Sequence, residues 1–218
     1  IVHAADATGR AIGEALVRAL QRHPNVTLLT GHTAIDLLTP AHHSMNRLDI
    51  YAPLSCVGAY LYEQTTGQVK RCMARHTVLA TGGLGQIFLR TTIPLGARGD
   101  GVAIAYRAGA RVINMEFVQF HPTTFSHPNA PPFLITEAVR GEGAVLRRMD
   151  GSPLLDSVHM GSLATRDVVA RAIDLWLKDS GDPHVLLDLS MISADRIEAR
   201  FPHIFGECQA RGLDIRKD

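Results

Sequence analysis

The chain has 218 residues, 46% of them hydrophobic and 20% charged, with a formal net charge of +1 at pH 7. That length suffices for one large domain or two small ones with a buried core, and the near-neutral charge implies neither a nucleic-acid partner nor an acidic membrane surface. No apolar run reaches the ~20 residues of a membrane span, and Cys56, Cys72 and Cys208 contain no CxxC pair, which points to free thiols in a reducing cytoplasm.

Asp6 or Thr8 can cap a helix whose apolar positions are Ile12, Leu16, Ala19 and Leu20, ending before His23-Pro24-Asn25. Apolar runs follow at 26–29 and 35–38, and His42-His43-Ser44 marks an exposed loop. Residues 57–62 and 69–73, separated by Thr65-Thr66-Gly67, predict a hairpin with polar faces. Residues 77–80 read as a buried strand running into Thr81-Gly82-Gly83, and 101–110 as a short helix of small residues. The alternation suggests an α/β layer with an inserted antiparallel meander. Beyond Asn114 the character changes. Loops rich in proline (Pro122, Pro128, Pro131, Pro132) alternate with helices at 165–178, 194–201 and from about Gly206. A domain boundary is placed near Asn114–Met115. Ile1 opens directly into a helical pattern, and Lys217-Asp218 follow without a terminating element, so the chain reads as an internal piece of a longer protein.

The densest polar chemistry lies in 116–143. In an extended segment Phe117, Gln119 and His121 share one face, and Pro122 stops the strand just beyond them. Thr136 and Glu137 follow beside a glycine-flanked turn bearing Arg140 and Glu142. Donors, an acceptor and an imidazole together resemble a pocket for a small anion. A lone histidine is more often a satisfied core residue, and Gln119 on the same face is what favours a site.

Elsewhere the signals are weaker. Thr81-Gly82-Gly83-Leu84-Gly85 would let a backbone approach a ligand, yet Phe88 stands where the last glycine of G-x-G-x-x-G belongs, so a plain strand-to-loop turn is favoured. Asp100 sits before a helix, where a cap is the simpler reading and a hydrogen bond to a ribityl or ribose hydroxyl the other. Thr165 as N-cap puts Arg166 in the first helical turn, where the helix dipole disfavours a cation. Pattern alone leaves Arg166 evenly divided between a solvated surface residue and an anion-binding one. Val169, Ile173, Trp176 and Leu177 read as core, and no His/Cys cluster has metal-ligand spacing.

Taken together, these segments resemble the L-aspartate oxidases, flavoproteins of NAD biosynthesis related to the flavoprotein subunits of succinate dehydrogenase and fumarate reductase. The resemblance runs the length of the chain: His3 to Gly9, Val78 to Gly83, Gly99-Asp100-Gly101, Glu116 to Thr123, Leu134 to Gly143 and Thr165 to Arg171. It implies an α/β plus α+β architecture. Residues 1–114 would be part of an FAD-binding, Rossmann-like domain, and 115–218 a capping domain that closes over substrate. Thr33, Ala34 and Asp100 match FAD-contacting positions, and Gln119, His121, Thr136 and Glu137 match positions around a dicarboxylate. Arg166 matches the arginine taken as proton donor or acceptor. A guanidinium stays protonated near neutral pH, so positioning and neutralising the substrate suit it better than accepting a proton.

The function so implied is oxidation of L-aspartate to iminoaspartate, with L-aspartate or another C4 dicarboxylate as the small-molecule partner. Hydride would pass to non-covalent FAD and then to oxygen or fumarate, in a cytoplasmic enzyme with possible hand-over to quinolinate synthase. A fumarate reductase or succinate dehydrogenase flavoprotein is the alternative within the superfamily, and a non-catalytic dicarboxylate-binding fragment the alternative outside it. Thr165 stands where many members have proline, and the fingerprint that grips the FAD pyrophosphate is absent from these residues. The chain alone is therefore expected neither to hold FAD tightly nor to turn over.

Overall fold

The computed structural model describes residues 3–128 and 131–217. Ile1 and Asp218, on which the reading of the chain's ends rests, lie outside them. Two compact units divide the chain: one comprises Ile1–Ala19 with Val118–Asp218, the other Leu20–Phe117. The division falls within helix α1 (Thr8–Arg22), which buries none of its residues.

In the unit Leu20–Phe117, strands β1 (His32–Leu38), β2 (Gly58–Glu63) and β3 (Gln68–Met73) form an antiparallel sheet in that order. The predicted hairpin is β2–β3, with Leu61 opposite Lys70 and Tyr62 opposite Val69. A bulge at Ile35 interrupts β1 between Ala34 and Asp36. Helix α2 (Pro40–His43) is a single turn, so His42 and His43 end a helical turn where a loop was expected; their Nδ1 atoms fold back onto buried Thr39. Helix α3 (Asp100–Arg107) packs on β1, its Ile104 is buried, and Arg107 Nε donates to Asp36 Oδ2 at 2.9 Å.

The strand expected at 77–80 does not form, and the apolar run 26–29 forms none either. Residues 26–29 and 77–80 join no ladder, and Val78 is 87% exposed. An apolar run of strand type needs neighbours whose N–H and C=O groups satisfy its own, and among the described residues none lies alongside.

The other unit closes its own cores. One gathers Val139, Ala144, Ile192, Ile197, Phe201, Ile204 and Cys208, and a second Leu146, Leu154, Leu155, Ala164, Val169 and Ile173. They are assembled from α4 (Ala138–Gly141), the two-stranded sheet of β4 (Val145–Arg147) and β5 (Leu186–Asp188), and α5 (Arg166–Ser180), α6 (Ala194–Arg200) and α7 (Pro202–Gln209). Each fully buried Leu, Ile, Val or Phe contributes about 1.5–3 kcal/mol. In α5 the expected stripe holds: Val169 and Ile173 are buried, with Trp176 and Leu177 packed beside them.

The caps are rearranged. Asp6 does not cap α1. Its carboxylate accepts from the amides of His203 and Ile204 at 3.2 and 2.8 Å, in the first turn of α7. Thr8 is the first residue of α1, and its hydroxyl accepts from the amide of Ala4. Asp100 is likewise the first residue of α3 rather than its cap; Gly99, left-handed at φ 87°, holds that place. Residues 117–122 form no strand, because Pro122 has no N–H and no ladder partner lies alongside among the described residues.

Candidate functional site

Thr165 is the N-cap of α5, its hydroxyl turned to Asp167 at 2.6 Å, which leaves Arg166 in the first turn. That position projects the guanidinium towards the turn where α4 begins. Arg166 Nε donates to Glu137 Oε2 at 2.7 Å and Nη1 to Gln119 Oε1 at 3.1 Å. Gln119, Glu137 and Arg166 thus converge from three segments. Arg166 and Glu137 are about two-fifths exposed, and Nη2 carries no hydrogen bond among the described residues.

Arg140, one helical turn beyond Glu137, was legible only as a donor on the glycine-flanked turn, with no role of its own. It is 2% exposed, with Nη1 on the Ser162 carbonyl at 2.6 Å and Nη2 3.3 Å from Glu137 Oε1. Its Nε and Nη2 are buried without hydrogen-bond partners. The signal for it was present in the sequence: an arginine three residues after a glutamate, inside one turn of helix. Two guanidinium groups and one carboxylate leave the cluster net cationic, as a carboxylate ligand requires.

The electrostatics follow from this packing. Arg166, through its hydrogen bond and charge, holds the Glu137 carboxyl below the usual carboxylate range, with help from Arg140 and against partial burial. Burial first, then Arg166, pushes His121 below the ordinary histidine value. His121 is therefore a neutral imidazole near pH 7. Its Nδ1 lies 3.3 Å from the Thr123 amide. Thr136 is half-buried, and its hydroxyl accepts from the Ala138 amide at 3.4 Å, at the start of α4.

Thr33, Ala34 and Asp100 lie in the other unit and are exposed. Thr33 and Ala34 precede the β1 bulge, and Thr33 Oγ1 accepts from Gln64 Nε2 at 3.1 Å, which leaves its own proton to donate. Asp100 makes no side-chain hydrogen bond among the described residues. Gly101 packs so closely on Thr81 that an added Cβ would lie 1.8 Å from the hydroxyl. The neighbouring Gly82, at φ +74°, and Gly83 face open space. A ligand can therefore approach bare backbone at Gly82 and Gly83. Thr33 and Asp100 fit the hydroxyl-bearing part of FAD; no G-x-G-x-x-G for its pyrophosphate occurs among the 218 residues.

The family model of an FAD binding domain matches residues 1–218. The chain belongs to this FAD binding domain family. Among curated relatives, the L-aspartate oxidase 1 of Ralstonia nicotianae is 48% identical over all of this chain, and the L-aspartate oxidase of Vibrio cholerae 44% identical. The chain spans about 40% of the length of each. Among solved structures, E. coli quinol fumarate reductase superposes on 99% of this FAD binding domain chain with a TM-score of 0.85 at 26% identity, covering 38% of that protein. Mycobacterium smegmatis Sdh1 covers 95% of it with a TM-score of 0.65 at 32% identity. No group of three or more His, Cys, Asp or Glu is placed to hold a metal among the described residues, and no helix there is long and apolar enough to cross a membrane.

Proposed function

We propose that the protein to which these residues belong oxidises L-aspartate to iminoaspartate. The observation that carries this is the cationic cluster in which Arg166 is held by Glu137 and Gln119 with Nη2 left over. When bound, FAD supplies a two-electron acceptor for the hydride leaving the substrate α-carbon. The chain's own residues bind and orient. Arg166, permanently protonated, neutralises a substrate carboxylate through its remaining donor. His121 and the Thr136 hydroxyl hold a carboxylate by hydrogen bonds. Glu137, ionised at neutral pH, accepts from the α-ammonium group, which a dicarboxylate without nitrogen cannot offer. Residues 115–218 serve as the capping domain, and Thr33, Ala34 and Asp100 contact the flavin cofactor. Oxygen or fumarate would serve as the final electron acceptor. The setting is NAD biosynthesis in the cytoplasm, with hand-over of the imine to quinolinate synthase.

The likeness to E. coli quinol fumarate reductase, at a TM-score of 0.85, supports a second reading in which the substrate pair is succinate and fumarate. Anaerobic mixing of the complete protein with L-aspartate, then with succinate, separates the two. Bleaching of the visible flavin band by aspartate alone is the expected result. Bleaching by succinate alone would move the protein to the second reading, and absence of a flavin band would leave a dicarboxylate-binding protein. In the same protein, Arg166→Lys is expected to lower turnover by about 100-fold or more, because a lysine cannot hold Glu137, Gln119 and a carboxylate in one plane. Turnover unchanged in that variant would remove Arg166 from the site.

A further inference from the structure

Thr123 is one of three buried polar or charged residues in the described chain, at 5% exposure, and none of the roles above uses it. Its groups face two ways. The carbonyl accepts from the Ile135 amide at 3.1 Å, and the hydroxyl donates to the Ile135 carbonyl at 2.9 Å. These two bonds clamp the segment carrying His121 to the one carrying Thr136 and Glu137. The Thr123 amide points at His121 Nδ1, 3.3 Å away, and has no other acceptor among the described residues.

That arrangement decides which imidazole nitrogen carries the proton. A buried amide N–H must be satisfied, and Nδ1 can accept from it only as a lone pair. The Thr123 carbonyl is 3.2 Å from the same nitrogen, but it is already satisfied by the Ile135 amide and needs no second donor, whereas the Thr123 amide has no alternative acceptor among the described residues. The hydroxyl lies 3.5 Å from Nδ1 with its proton committed to the Ile135 carbonyl. The proton is thereby left on Nε2, which makes no hydrogen bond to the described residues.

We propose that Thr123 is a positioning residue: its clamp on Ile135 holds its amide against His121 Nδ1, and this fixes His121 as the Nε2–H tautomer, a neutral donor for a carboxylate oxygen. The charged groups acting on His121 are Arg166 and Arg140, which disfavour a second proton, and Glu137, which favours one. With burial, the balance keeps the ring neutral, so the amide's hold on Nδ1 goes unchallenged near pH 7. The role as donor to a substrate rests on the dicarboxylate reading above; the tautomer does not.

The test is nitrogen NMR of the complete protein, labelled with 15N-histidine and without substrate, with the His121 signals assigned by their loss in His121→Gln. The expected spectrum shows Nδ1 as an unprotonated, hydrogen-bonded nitrogen and Nε2 as the protonated one. A protonated Nδ1, or an even mixture of tautomers, would overturn the proposal whatever the substrate proves to be. Thr123→Val removes the hydroxyl clamp while keeping shape. It is expected to give mixed tautomers and to raise KM for aspartate about tenfold with kcat little changed. Thr123→Ser, which keeps the hydroxyl, should restore both. A valine variant whose His121 signals match the wild type would show that the hydroxyl positions nothing. If the wild-type tautomer is as expected but aspartate leaves the flavin oxidised, the substrate reading fails and the positioning role stands.

Discussion

Residues 118–217 and residues 20–117 are both rich in apolar side chains, but only the first group encloses them in continuous cores. Phe201 and Val169 are sealed among neighbours from several helices, while the apolar runs 26–29 and 77–80 stay uncovered. The difference lies in what each element needs in order to bury itself. A helix satisfies its own backbone and asks only for another apolar stripe, which α5, α6 and α7 find in each other and in β4 and β5. A strand buried on both faces also needs hydrogen-bonding neighbours on its edges, and no choice of side chains supplies those.

The contrast can be broken by mutation. Phe201→Ala is expected to cost about 3–5 kcal/mol in a urea titration, because it leaves a cavity in an enclosed core. Val78→Ala, at a side chain with little left to lose, should change stability by less than about 0.5 kcal/mol. Equal costs would mean that the two regions do not differ as described. Asp6→Ala tests a single contact of the well-cored unit; losing the cap on α7 should cost about 1 kcal/mol in the same measurement. The smallest effect is expected from Glu137→Gln. Because the folded carboxyl titrates below its unfolded value, its contribution is full above about pH 4.3 and fades as pH falls through the lower folded value. Thermal midpoints of the glutamine variant should therefore fall less steeply with acidification below about pH 4 than those of the wild type. Parallel curves would show that the Arg166 contact adds nothing to stability.

Much of this was legible in the sequence where a local rule was enough. The 165–178 periodicity gives α5, and Thr65-Thr66-Gly67 between two β-type runs gives β2 and β3. The site was legible in part. Arg166 stood out as a cation in a first helical turn, Gln119 by sharing a face with His121 and Glu137 as a carboxylate beside a glycine-flanked turn, and the fold brings the three within hydrogen-bonding distance. What patterns could not show is contact across long stretches of chain. Arg140 read only as one donor on a glycine-flanked turn, and its burial against Ser162 and Glu137 was not visible in the pattern. Asp6 looked like a local cap because local caps are common; its carboxylate serves a helix at the far end of the sequence. The strand expected at 77–80 failed for the converse reason, since the pattern describes a strand's faces and is silent about its edges.

The bond from Asp6 to the Ile204 amide joins residues 198 positions apart. It makes the well-cored unit discontinuous, with Leu20–Phe117 spliced into it as one long excursion. During synthesis, residues 3–19 leave the ribosome long before α7 exists, so that unit can be completed only after nearly all of the chain has emerged. Closing so long a loop adds little to the equilibrium cost, since the penalty grows only with the logarithm of length, but it slows the search. The expected order is therefore assembly of residues 118–217 on themselves first, followed by recapture of the early segment by α7. Deleting residues 20–117 and joining residue 19 to residue 118 through a short linker would roughly halve the separation of Asp6 and Ile204, and is expected to speed that last step.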